Sequence, residues 1–97
     1  MRQVIVRYKV KPERVAENEA LVRAVYEELA RTAPAGFRYA TFRNGASFTH
    51  LAISDGDASP LPQLEAFRRF QQDIADRCDE PPAVTEVEAV GAYGFGG

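Results

Sequence analysis

Asn44-Gly45 lies between two runs of β-branched and aromatic residues, Phe37 to Arg43 and Ser47 to Ser54, and no other feature constrains the chain so strongly. Asn-Gly accepts the positive φ angles that a tight hairpin turn requires, so the two runs read as paired antiparallel strands. With Asn44 and Gly45 as the turn residues, Arg43 opposes Ala46, Thr41 opposes Phe48 and Tyr39 opposes His50. That register sorts the hairpin into two faces: Phe37, Tyr39, Thr41, Phe48 and His50 on one, and Ala40, Phe42, Thr49, Leu51 and Ile53 on the other. A three-residue bulged turn would shift the pairing and mix the sets.

The flanking segments supply the remaining elements. From Gln3 to Val10, the residues Val4, Val6, Tyr8 and Val10 alternate with Gln3, Ile5, Arg7 and Lys9, the period of a strand with one buried face. Lys11-Pro12-Glu13 opens a long helix, because proline is tolerated in a first turn and Glu13 suits the positive end of the dipole. Along it Val15, Val22, Val25, Tyr26, Leu29 and Ala33 form one apolar stripe, and Pro34 and Gly36 end it. After a polar loop from Asp55 to Pro60, Leu64, Phe67, Phe70, Ile74 and Cys78 define a second helix, which Pro81-Pro82 cannot continue. Thr85 to Tyr93 resumes strand alternation, and Phe95-Gly96-Gly97 reads as a mobile tail.

Strand, helix, strand, strand, helix, strand is the order of an α+β ferredoxin-like βαββαβ sandwich, here one domain over residues 1–97. Right-handed crossovers give an antiparallel sheet of order 4-1-3-2 with both helices on one face. Assigning Val4, Val6, Tyr8, Leu51, Ile53 and Val87 to the helices leaves Ile5, Arg7, Lys9, Tyr39, Phe48, His50, Glu86, Glu88 and Val90 on the open face. There Arg7 and Lys9 face Glu86 and Glu88 as cross-strand ion pairs, worth about 0–1 kcal/mol each when exposed. Burying two or three rings of the same face contributes several kcal/mol, at about 25 cal/mol per Å². A homodimer with its sheets face to face is therefore expected.

Twelve Lys and Arg against fourteen Asp and Glu give a net charge of -2, without the basic footprint of a nucleic-acid binder. The short apolar runs are far below the roughly 20 residues of a membrane span, and no signal-peptide apolar region follows Met1-Arg2. One cysteine makes no internal disulfide, consistent with a reducing compartment. The expected setting is cytoplasmic, with neither nucleic acid nor membrane as partner.

The run Val4-Ile5-Val6-Arg7-Tyr8-Lys9-Val10-Lys11-Pro12-Glu13 with its long helix resembles the dimeric α/β-barrel superfamily, in its antibiotic biosynthesis monooxygenase-like branch. Phe48-Thr49-His50-Leu51, Pro60-Leu61, Ala66-Phe67 and Cys78-Asp79-Glu80-Pro81-Pro82 are similar to small members of that superfamily whose function is unknown. The resemblance covers nearly the whole chain. It implies a ferredoxin-like protomer, a homodimeric barrel, and a ligand pocket between each sheet and its helices. Members of the superfamily include cofactor-independent oxygenases of polycyclic phenols, haem-degrading enzymes and many proteins without an assigned reaction, so one function the resemblance implies is a cofactor-independent oxygenase of an aromatic small molecule. Haem-degrading members use a helix histidine, a nearby tryptophan and a strand asparagine; this chain has no tryptophan, and its histidine falls on a strand.

Among the residues, His50 has the side chain whose ordinary pKa lies nearest neutrality. It is the candidate base, with Tyr39 as its hydrogen-bonding neighbour and Arg7 as the cation for a developing phenolate. Phe42, Phe48 and Phe67 are the candidate walls for a planar ligand. Asp55-Gly56-Asp57 offers too few oxygens for a hard cation, and Cys78 lies beside Asp79 and Glu80, which oppose a thiolate. No metal site and no cofactor are expected. Two functions remain open: the oxygenase just described, and a non-catalytic, stress-associated or ligand-binding module for a small hydrophobic molecule.

Overall fold

A computed structural model describes residues 1–56 and 58–94, so the expected tail Phe95-Gly96-Gly97 and Asp57 lie outside the described residues. The chain runs through β1 (Arg2–Val10), a 3-10 turn (Pro12–Arg14), α1 (Val15–Thr32), β2 (Phe37–Asn44) and β3 (Ser47–Ser54). A second 3-10 turn (Leu61–Gln63), α2 (Glu65–Gln71), α3 (Ile74–Arg77) and β4 (Cys78–Glu86) follow. The antiparallel sheet has the order β2-β3-β1-β4, which is the expected order read from the other edge.

Local chemistry explains the boundaries. Pro12 starts the turn that launches α1, and Ala33 ends the helix in the left-handed region, its N–H donating to the Leu29 carbonyl at 2.7 Å. No polar side chain of its own caps α2; instead Glu28 of α1 accepts from the Ala66 and Glu65 N–H groups at 2.8 and 3.3 Å. That carboxylate joins the helices and satisfies two N–H groups left free by the first turn. Val10, Val22, Val25, Phe48, Leu64 and Phe70 form the centre of the core.

Several expectations change. The hairpin turn is Gly45-Ala46 rather than Asn44-Gly45: Asn44 pairs with Ser47, Thr41 with His50 and Tyr39 with Ala52. Gly45 alone takes the positive φ of 61°, as the first central residue of a type II′ turn does. Because the slip is an even number of residues, both sets of face-sharing side chains survive it.

Their direction is reversed, however. Val6 pairs with His50 and Tyr8 with Phe48, so Phe48, His50, Thr41 and Tyr39 share the helix-covered face with Val6 and Tyr8. Leu51 and Ile53 pair with Ile5 and Gln3 and lie on the open face with Phe42. Both hairpin faces are apolar enough to be core, and the larger aromatic set went inside.

The last strand is Cys78–Glu86 rather than the expected Thr85 to Tyr93, and shares only Thr85 and Glu86 with it. Asp73, at φ 61°, breaks the expected second helix after α2, and α3 adds a short turn. Pro81 and Pro82 fall where the β1–β4 register shifts, between the pairs Arg7–Ala83 and Lys9–Glu80. A bulged edge strand tolerates prolines because their missing N–H groups break no interior ladder. The expected ion-pair ladder is consequently absent among the described residues: Glu86 pairs with Val4 and meets Arg2 Nε at 3.3 Å. No helix among the described residues is long and apolar enough to cross a membrane.

Candidate functional site: a buried phenol and imidazole chain

Beneath the helices runs a continuous chain of polar side chains. Arg77, 1% exposed, donates from Nε to Asn18 Oδ1 at 3.0 Å and from its other nitrogens to the carbonyls of Phe70 and Gln72 at 2.6 and 3.3 Å. Its guanidinium also lies 5.3 Å from the Phe70 ring centre, a cation–π arrangement. Asn18, fully buried, donates from Nδ2 to the Tyr8 hydroxyl at 3.0 Å. Tyr8 meets His50 Nε2 at 2.7 Å. On the far side of the ring, His50 Nδ1 lies 2.7 Å from the Tyr39 hydroxyl and 2.9 Å from Thr41 Oγ1, and Thr41 in turn meets the Tyr26 hydroxyl at 2.7 Å.

The proton positions follow by assignment from the donors. Arg77 has only N–H donors, so it fixes Asn18 with its oxygen toward Arg77 and its amide toward Tyr8. Tyr8 accepts from Asn18 and therefore gives its own proton to His50 Nε2. The imidazole, neutral, then carries its proton on Nδ1 and donates toward Tyr39 and Thr41.

Burial sets the charge states. His50 is 3% exposed, and desolvation lowers its pKa to about 4, so the ring is neutral at pH 7. Desolvation likewise raises Tyr8, Tyr39 and Tyr26 above the ordinary tyrosine range. Among the described residues no group of three or more His, Cys, Asp or Glu side chains is placed to hold a metal ion.

The structure joins Tyr39 and His50, as expected, but separates Arg7, which lies on the open face. Phe48 stacks on Tyr8 at 5.5 Å between ring centres, and Phe67 packs beside Phe70 at 6.0 Å, both as core. Phe42 is on the opposite side of the sheet and 62% exposed. Tyr8, Phe48 and Phe70 fill the space beneath His50 where the resemblance implies a pocket. At the β2 edge a crevice of about 330 Å³ opens instead, lined by Tyr26, Leu29, Ala33, Pro34, Phe37 and Tyr39. A wider groove of about 500 Å³ lies on the open face over Leu51 and Ile53.

A solved structure named antibiotic biosynthesis monooxygenase matches with a TM-score of 0.76 and 24% identity, over 94% of this chain and all of its own. The chain has the antibiotic biosynthesis monooxygenase fold. A conserved protein from Methanosarcina mazei Go1 matches with a TM-score of 0.73 and 20% identity, over 89% of each chain. NE2512, a protein of unknown function from Nitrosomonas europaea, matches at 0.76 and 18% identity, over 99% of this chain and 95% of its own. Proteins from Caulobacter crescentus and Bordetella bronchiseptica carry the monooxygenase name provisionally. No protein-family model matches the sequence, and no curated protein does.

Asn18, Arg77, Tyr8, Thr41 and Tyr26 were not singled out as site residues from sequence. Asn18 carried a signal: it sits three residues after Val15 and four before Val22, inside the apolar stripe of α1. A polar residue there is either an error of packing or a buried hydrogen-bonding partner. Arg77, three residues after Ile74, carried the same signal.

Proposed function

We propose that the protein captures a small, largely apolar aromatic molecule in the crevice between the C-terminal half of α1 and β2. The carrying observation is that this apolar crevice is walled by Tyr26 and Tyr39, the two phenols at which the buried chain ends. Leu29, Ala33, Pro34 and Phe37 supply apolar surface, and Tyr26 and Tyr39 stack at 5.3 Å to make an aromatic wall. A volume of this order suits a one- or two-ring ligand. Isothermal titration with a panel of small aromatic ketones, phenols and quinols tests the reading. Saturable binding lost on Leu29→Arg supports it; equal binding by that variant refutes it.

The second reading, a cofactor-independent oxygenase, is favoured by the likeness to a structure named as a monooxygenase and by the Tyr39–His50 contact. Against it, both ring nitrogens of His50 are occupied and Arg7 is on the other face. Oxygen uptake with the same panel separates the two: turnover lost in His50→Gln and Tyr39→Phe supports the enzyme.

We also propose that the working form is a homodimer joined through the open faces. The rings first expected there are core, so the apolar contribution comes from Ile5, Phe42, Leu51 and Ile53. Of these, Phe42 stands 62% exposed. Light scattering should give twice the protomer mass at micromolar concentration, falling to the protomer mass in Ile53→Lys; a wild-type mass of 10.7 kDa refutes the dimer.

A further inference from the structure

Proton arithmetic at the end of the buried chain leaves the Tyr39 hydroxyl proton over. His50 Nδ1, Tyr39, Thr41 and Tyr26 form a cluster in which each contributes one donor proton once Nδ1 carries its hydrogen. The Nδ1–H proton is shared between Tyr39 and Thr41, and one hydroxyl proton serves the Thr41–Tyr26 contact. Tyr39 accepts from Nδ1–H, so its own hydroxyl proton has no acceptor within the cluster. If Thr41 donates to Tyr26, the Tyr26 proton is spare as well. Both residues line the crevice, whose other walls are apolar. With the opposite tautomer Nδ1 is an acceptor, Tyr39 gives its proton to the ring, and that proton is lost to a ligand.

We infer that the crevice selects an aromatic ligand bearing an acceptor oxygen, a carbonyl in particular, and that Arg77 and Asn18 are positioning residues that set this preference from the other end of the chain. The inference rests on the proposed capture of a ligand in the crevice and adds the ligand's chemical class. Arg77 orients Asn18, Asn18 makes Tyr8 a donor to His50, and His50 thereby donates outward. Replacing the Asn18 amide by a carboxylate removes the donor and supplies a second acceptor. Tyr8 would then give its proton to the carboxylate and accept from His50 Nε2–H, and Nδ1 would accept the Tyr39 proton. The new carboxylate would also face Arg77, which meets no carboxylate within ion-pair distance among the described residues.

The test uses ¹⁵N-labelled protein at pH 8 and two probes of nearly equal shape, 1-indanone and indane. The chain has a single histidine, so its ring nitrogens are read without ambiguity. Wild type should show the proton on Nδ1 and bind indanone about tenfold more tightly than indane, the worth of one net hydrogen bond. Asn18→Asp should move the proton to Nε2 and abolish the preference while indane affinity stays within twofold. Should that variant fail to fold, the double variant Tyr26→Phe, Tyr39→Phe should lose the preference in the same way. A wild-type proton on Nε2, or equal binding of the two probes at the crevice, overturns the inference and leaves capture intact. A proton on Nδ1 with no crevice shifts from either probe overturns capture itself, and the ligand class with it.

Discussion

Moving from pH 7.5 to pH 5 should cost the fold about 2 kcal/mol through His50 alone. In the unfolded chain His50 titrates near its ordinary value of 6.5, whereas in the fold desolvation lowers it to about 4. Between those values the unfolded state binds a proton that the folded state refuses, so acid favours unfolding. The stabilisation is complete above pH 6.5, declines as the pH falls, and is fully lost below about pH 4, a total of about 3 kcal/mol. With His50 only 3% exposed, solvent does little to screen the effect. The assay is urea denaturation at the two pH values for wild type and His50→Gln, whose side chain can hydrogen-bond but does not titrate. Carboxylates contribute alike to both proteins, so the difference isolates the imidazole. Parallel losses in the two proteins would refute the claim that the ring is desolvated and neutral.

Other perturbations follow from single contacts. Arg77→Met strips the donor from Asn18 Oδ1 and from the Phe70 and Gln72 carbonyls at the end of α2, and should lower stability by about 3 kcal/mol in the same urea assay. Glu28→Ala removes the acceptor for the first N–H groups of α2 and should cost about 1 kcal/mol, with faster hydrogen exchange at Glu65 and Ala66. Gly45→Ala meets no neighbour within 4 Å but must hold φ near 61°, so thermal unfolding should report a loss of about 1 kcal/mol from backbone strain alone.

Element order was legible because the periodicities of β1, α1, β2 and β3 differ sharply and the breakers between them are strong. The direction of the hairpin was not. Phe37, Tyr39 and Phe48 on one face and Phe42, Leu51 and Ile53 on the other are both credible core sets, and only the pairing of β3 with β1 decides between them. The even register slip at Gly45 did no harm, since alternation depends on parity. The start of β4 was hidden because Pro81-Pro82 argues against a strand unless that strand is known to be an edge. At the site, the Tyr39–His50 contact was visible as a shared face, but the link to Arg77 joins residues 59 positions apart at Asn18. Local spacing marks each of the two as a polar residue on an apolar stripe, but their pairing is set by how α1 and α3 pack.

The most direct measurement is a crystal structure of the protein grown with 1-indanone. We expect the ketone ring between Leu29, Pro34 and Phe37, with its oxygen within hydrogen-bonding distance of the Tyr26 or Tyr39 hydroxyl. Ketone bound instead in the open-face groove over Leu51 and Ile53, with the crevice holding only water, would contradict the proposed capture.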